Sequence, residues 1–297
     1  MAFLATELRP PRADGGEALT RLAAETGAIG VHLGADCDLE LVARAPLVGA
    51  ALRLGLSVPS LTLPLAERQL PAGRRLPRLS AAAKDERAAA ITLVERGLDA
   101  AVAFGASHAV LELGTVSLAA DPAALATAFA RRALDSDETG SASLAMARDE
   151  RRARAPEILD ACRFSLERLL RAADRASIQL AAQVGVTPWQ APSPRELSEL
   201  AETFGPSLGV VWDPARLSVL SALALPISDD RLRALSAAAT VVLENDAVGL
   251  APGYLPGLAE RDPRLSTFTP PPTIPRIILG PPDSTDAEVV AALATHG

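Results

Sequence analysis

A chain of 297 residues, 49% hydrophobic but only 3% aromatic, can bury a large core made chiefly of Ala, Leu and Val. Its net charge of −7 argues against a concentrated basic face of the kind that grips nucleic acid or acidic lipid. Two cysteines, Cys37 and Cys162, give neither a disulfide framework nor a zinc spacing, so reduced thiols and a cytoplasmic location are expected.

The start, MAFLATELRPP, lacks a basic segment followed by a long apolar one, and no uninterrupted apolar run reaches spanning length; neither a signal peptide nor a membrane helix is expected. Lys84 is the single lysine and stands at a helix start, which disfavours Schiff-base chemistry. With only His32, His108 and His296, a site of three imidazoles is nearly impossible.

In chain order, the first strand is expected over 2–8 and a helix over 15–26, stopped by Gly27. A second strand, 28–34, precedes a helix over 39–54, and the third strand runs from 56 to 65. A Pro/Arg-rich loop (71–77) leads to a helix over 84–104, ended by Gly105, and to a fourth strand over 107–113. Asp121-Pro122 reads as an N-cap with proline at the first helical position, opening a helix to about 134. The polar run SDETGSAS (136–143) is expected to be a mobile loop, and a long helix to follow from about 149 to 176, with Pro156 as a candidate for its true start. Within it, Arg148, Arg151, Arg152 and Arg154 interleave with Asp149 and Glu150 and read as a solvated face. The fifth strand is 178–184. Ser193-Pro194-Arg195-Glu196 then resembles a capped helix start closing at Gly205. The sixth strand (208–213), helical stretches at 217–225 and 229–239, a seventh strand (240–246), an eighth (276–279) and a last helix (285–295) complete the chain.

Eight strand-then-helix units predict an α/β chain forming a (β/α)8, or TIM, barrel of parallel strands over 1–297 as a single domain. It would carry an irregular region at about 115–148 and a proline-rich loop at about 252–275. Strand alternation then separates the lumen from the helix-covered face. Bulky Ile29, Val31 and Leu33 belong under the helices, which sends His32 inward; Leu111 and Leu113 send Glu112 inward. Gln183 and Asp213 face in by the same rule, Glu7 and Thr62 are additions from the first and third strands, and in the seventh strand either Glu244 or Asn245 projects in. A ring of Glu7, His32, Thr62, Glu112, Gln183 and Asp213 is therefore expected near one mouth, with Arg9 and Arg216 as the nearest cations in sequence. Asp213 before Pro214 is also a helix N-cap signature, Trp189 lines a pocket or packs a loop, and His108 sits at the structural, N-terminal end of its strand.

The segments LAAQ (180–183), PSPRELSELAETFG (192–205), LGVVWDPARL (208–217) and LVERGLDAAVAFGASHAVLELG (93–114) resemble the xylose-isomerase-like superfamily of sugar and sugar-phosphate isomerases and epimerases. The resemblance extends to strand order and segment lengths over nearly the whole chain. It implies a divalent metal (Mn, Zn, Mg or Co) held by strand-end Glu, Asp and His side chains, and a small polar, carbohydrate-like ligand. Only Asp213 keeps its type as a metal ligand. Gln183 stands for the strand-five glutamate, Arg216 for the histidine three residues after the aspartate, Leu243 near the strand-seven histidine and Gly280 near the last glutamate. His32 occupies a usual glutamate position and Glu112 a common histidine position. A guanidinium can replace a cation by clamping a carboxylate in a bidentate pair, so Arg216 is expected to do this to Asp213 and the metal to be absent.

Three readings follow. One is a metal-dependent isomerase or epimerase in which Glu112, Asp213 and His32 act catalytically, with Glu112 or Glu244 as the base. Another is a metal-free relative, enzymatic or not, that binds a small polar ligand through His32, Glu112, Gln183, Asp213 and Arg216, with Glu7, Thr62, Trp189 and Glu244 as further candidate substrate-binding residues. The last is a non-catalytic, partner-binding barrel with the 252–275 loop over its mouth. No nucleic-acid or membrane partner is expected, and association into a homo-oligomer is left open.

Overall fold

The computed structural model describes residues 2–6, 17–34, 46–63, 76–130, 138–223, 225, 227–248, 250–257 and 261–296. In chain order the elements are β1 (Ala2–Ala5), α1 (Glu17–Thr26), β2 (Gly30–Leu33), α2 (Pro46–Arg53), β3 (Ser57–Leu63), α3 (Lys84–Phe104), β4 (His108–Leu111), β5 (Gly114–Thr115), α4 (Pro122–Ala130) and α5 (Glu138–Ala176). They continue with β6 (Gln179–Ala182), β7 (Gln190–Ala191), α6 (Pro194–Phe204), β8 (Leu208–Trp212), α7 (Pro214–Ala222), α8 (Asp229–Ala237), β9 (Ala239–Glu244), β10 (Asp246–Val248), β11 (Ala251–Tyr254), β12 (Arg276–Ile278) and α9 (Asp286–His296). Short 3-10 turns lie at Gly205–Ser207 and Pro263–Ser266.

Eight strands close into a barrel in the order β1-β12-β9-β8-β6-β4-β3-β2, and every pair is parallel. Closure removes the sheet edges, and the helices cover the outside as the strand-to-helix alternation requires. The fold is a (β/α)8 barrel.

The apolar residues divide as parity demands. Phe3, Ala5, Val110, Ala181, Val211, Val241, Leu243 and Ile277 form one buried cluster inside the barrel, with Leu279 packed against it. A separate, larger cluster lies between strands and helices and includes Val31, Leu33, Leu61, Leu63, Leu111, Leu180, Val210, Trp212 and Val242. The lumen is thus a packed core, and polar side chains gather where the strands end.

Local signals explain several helix boundaries. Asp85 and Glu86 favour the positive N-terminal end of α3. Gly105, at φ 71, takes the left-handed conformation that closes it, which a side chain would resist. In α6 the Ser193 hydroxyl accepts from the Glu196 N–H while the Glu196 carboxylate accepts from the Ser193 N–H, a complete capping box. Asp213 caps α7 by accepting from the Arg216 N–H at 3.1 Å.

Two expectations fail in the middle of the chain. α5 begins at Glu138 and runs 39 residues straight through Pro156, so neither Asp149 nor the proline marks its start. Proline removes one backbone bond, a cost outweighed here by the long buried stripe that includes Leu144, Ala147, Ile158, Cys162, Leu166 and Leu169. Residues 138–143, expected in a mobile loop, form the first helical turns. The arginine stretch is not uniformly solvated either: Arg151 is buried and ion-paired with the buried Glu196.

The antiparallel β10–β11 hairpin leads into the proline-rich segment and packs on α7, and the turn at Pro263–Ser266 lies within that segment. A second ribbon, β5 with β7, ties the segment after β4 to the segment after β6. Among the described residues no helix is long and apolar enough to cross a membrane.

Candidate functional site

The backbone ladder carries the inward rank past the formal strand ends. The Glu112 N–H donates to Leu63 O and the Gln183 N–H to Leu111 O, so these residues continue in extended pairing. Glu112, Gln183, Asp213 and Asn245 each lie two residues beyond a lumen residue: Val110, Ala181, Val211 and Leu243. Four polar side chains consequently meet on one arc of the strand C-terminal mouth.

Asp213 is the hub of this arc, 1% exposed. Its Oδ2 accepts from Gln183 Nε2 at 2.8 Å, and its Oδ1 from Asn245 Nδ2 at 3.0 Å as well as from the Arg216 N–H. The Arg216 Nε lies 3.3 Å from Oδ2, an ion-pair distance with an alignment short of a hydrogen bond. Arg216 Nη1 donates to Val184 O at 3.0 Å, and Nη2 donates to Glu112 Oε1 at 2.8 Å. The expected bidentate clamp on Asp213 therefore does not form. Amides and a backbone N–H already occupy the Asp213 oxygens, which leaves the guanidinium fork to bridge Asp213, Val184 and Glu112.

This arrangement makes a buried carboxylate affordable without a metal: three hydrogen-bond donors and one adjacent positive charge compensate it. It also tests the donor set against a divalent ion. Gln183 presents its N–H side to Asp213, Arg216 brings a positive charge to the same place, and Glu112, the other carboxylate of the arc, is engaged by Arg216. Among the described residues there is no group of three or more His, Cys, Asp or Glu side chains able to hold a metal. The described residues do not fit the divalent ion that the resemblance implies.

His32 lies on the β2–β3 side of the lumen and is 1% exposed. Its Nδ1 is 2.9 Å from Ser60 Oγ and its Nε2 is 3.0 Å from Thr62 Oγ1. Burial without a charged partner pushes its pKa down to about 3, so the ring is neutral and clamped between two hydroxyls. Ser60 was not singled out from the sequence, although it stands two residues before Thr62 on the same strand. Of the predicted ring, Glu112, Gln183, Asp213 and Arg216 come together; His32 and Thr62 form a separate pair; Glu7 and Arg9 lie outside the described residues, as does Cys37.

Parity in β9 resolves in favour of Asn245. Its Nδ2 also donates to Leu243 O, and its Oδ1 accepts from the Gly253 N–H, which ties the β10–β11 hairpin to the mouth. Glu244 is on the helix-covered face, where it pairs with Arg276 and, at 3.3 Å, with Arg261. It contributes nothing to the lumen arc. Trp189 is also separate: Nε1 donates to Ala120 O at 3.2 Å, and the ring packs on the cluster of Leu125, Leu144, Val186, Val219 and Leu223. That position pins loops together. His108, at the first residue of β4, accepts or donates at Ser107 Oγ, 2.9 Å away, far down the strand from the mouth.

Glu112 differs from its neighbours in being reachable. Its side chain is 42% exposed against 2% for Asp213, with Arg216 at 15%. Of this arc, the Glu112 side chain is the part most open to solvent.

No protein-family model matches the sequence, and no curated protein matches it. Solved structures do match in shape. The 3-keto-D-glucoside 4-epimerase from E. coli is 13% identical with a TM-score of 0.64, over 99% of this chain and 98% of that one. The D-psicose 3-epimerase from Clostridium cellulolyticum H10, solved with D-tagatose, is 10% identical with a TM-score of 0.63, over 99% and 97%. A xylose isomerase domain protein from Planctomyces limnophilus is 14% identical with a TM-score of 0.59, over 99% and 95%. At such identities the likeness concerns the fold. The chain carries the barrel fold of the xylose-isomerase-like isomerases and epimerases.

Proposed function

We propose that this chain binds a small polar, carbohydrate-like ligand at the strand C-terminal mouth, without the family's divalent metal. The observation that carries the reading is the Glu112–Arg216 pair, an accessible carboxylate on a guanidinium held in place from below by Asp213 and Val184 O. A carboxylate accepts from sugar hydroxyls and a guanidinium donates to them, so the pair suits a polyhydroxylated solute. The shared fold with a sugar-bound epimerase supports the same ligand class.

Isomerisation or epimerisation through an enediolate needs a base and an electrophile. Of Glu112, Asp213 and His32, Glu112 alone combines a carboxylate with access to solvent. Asp213 is saturated with donors and His32 is held neutral under the mouth. These facts favour Glu112 as the base of any proton transfer. The engagement of Arg216 with three acceptors of its own chain supports a second reading, a non-catalytic ligand-binding relative.

The test is a thermal-shift screen of ketohexoses, sugar phosphates and polyols, together with metal analysis of protein purified without added divalent ions. A ligand that binds only the folded state raises the melting temperature, by the equivalent of about 2.7 kcal/mol at a hundredfold excess over its Kd. A shift lost in Glu112→Gln and insensitive to a chelator is expected. Stoichiometric Mn, Zn, Mg or Co would overturn the metal-free reading, and a screen without any shift would overturn ligand binding. Turnover of a binding sugar, absent in Glu112→Gln, separates the catalytic reading from the non-catalytic one.

A further inference from the structure

On the flank of the barrel, outside the lumen, a cavity of about 700 Å3 opens between α5, the start of α6 and the segment 185–188. Six guanidiniums line it, from Arg148, Arg151, Arg152, Arg163, Arg195 and Arg231, against three carboxylates, Asp160, Glu196 and Glu199. Two of the six have partners outside the lining, Arg152 on Asp149 at 3.3 Å and Arg148 on Leu223 O at 3.5 Å, and the guanidiniums still outnumber the carboxylates that line the cavity.

The carboxylates are already engaged. Glu196 takes Arg151 and the Ser193 N–H, Glu199 takes Arg195 at 2.9 Å, and Asp160 lies 3.6 Å from Arg163. Arg231 has no ion-pair partner among the described residues. Arg151 is the most telling member: its side chain is 9% exposed, yet Nε and Nη1 are buried without an acceptor among the described residues. Buried N–H groups without acceptors are costly, and an oxyanion met by the Arg151 side chain as it turns toward the cavity would meet that demand. Much of the rest of the wall is apolar, formed by Pro156, Leu159, Pro188, Leu220 and Leu225.

We propose that this flank cavity is a binding site for a small amphipathic oxyanion, a phosphomonoester or carboxylate head on a short apolar body. The head meets Arg231 and the Arg151 side of the cavity, and the body lies on Leu159, Leu220 and Leu225. This site is independent of the ligand proposed for the mouth.

Calorimetric titration of the full chain with hexyl phosphate, octanoate and inorganic phosphate tests it. Saturable one-to-one binding of hexyl phosphate or octanoate is expected, weakened by added salt. Arg231→Gln, which leaves the buried Arg151–Glu196 pair intact, is expected to weaken binding about tenfold, as loss of one charge-assisted contact does. Arg151→Gln gives a larger loss if it folds; Arg231→Gln decides the matter if it does not. Preference for hexyl phosphate assigns a phosphomonoester, and preference for octanoate assigns a carboxylate. Absence of saturable binding by all three probes, equal affinity for inorganic phosphate, or binding unchanged in Arg231→Gln would each overturn the proposal.

Discussion

The mouth and the flank cavity both depend on arginine, and they use it in opposite ways. At the mouth one guanidinium serves two carboxylates and a carbonyl, and the Asp213 oxygens are filled by neighbouring N–H donors. On the flank six guanidiniums face three carboxylates that are already paired. The local ratio of acceptors to donors, more than residue type, decides whether an arginine stabilises its own chain or is left to meet a solute.

The contrast can be broken most sharply at its hub. Asp213→Ala strands the amides of Gln183 and Asn245, uncaps α7 and leaves Arg216 beside one carboxylate, and should cost about 3–5 kcal/mol in urea unfolding. A loss under about 1 kcal/mol would mean that water satisfies those donors and that the mouth is not self-contained. Arg151→Met should cost about 3 kcal/mol, because Glu196 remains buried with only the Ser193 N–H and its own helix end to compensate it. A neutral outcome there would make the buried pair dispensable.

A third measurement isolates a polar group with no charged partner. The folded pKa of His32 is depressed, so its contribution is fully present above the unfolded value and is lost as pH falls toward about 3. Relative to His32→Asn, the wild-type chain should lose about 2 kcal/mol more stability between pH 7 and pH 5. Parallel pH profiles would place the imidazole in contact with water. The smallest effect is expected for Glu112→Gln, under about 1 kcal/mol, since its partner is reached at a half-open surface. A large loss there would turn the proposed ligand contact into a structural ion pair.

Strand periodicity made most of this architecture legible. The stretches 109–111, 180–182 and 208–212 are apolar on both faces, as parallel strands under helices must be, and their parity put Glu112, Gln183 and Asp213 on one arc. Parity could not settle Glu244 against Asn245, because Val241, Val242 and Leu243 are all apolar and both faces of β9 are buried. Sequence also could not show which donors reach Asp213 first, and so the form of the Arg216 contact was misjudged. The Arg151–Glu196 pair joins residues 45 positions apart through the packing of two helices, a relation no local spacing encodes. The mixed charges around Arg151 resemble a solvated face until α6 is laid against them. Pro156 misled for a related reason: tertiary burial along α5 outweighed a local breaker.

One consequence follows from where α3 begins. Lys84, exposed at the first residue of that helix, follows the connection from β3 and therefore stands on the rim at the strand-exit end. It carries the one side-chain amine of a chain whose other cations are all arginine. Amine-directed labelling of side chains would thus place a single fluorophore on that rim, giving an optical reporter of solute entry without any engineered cysteine.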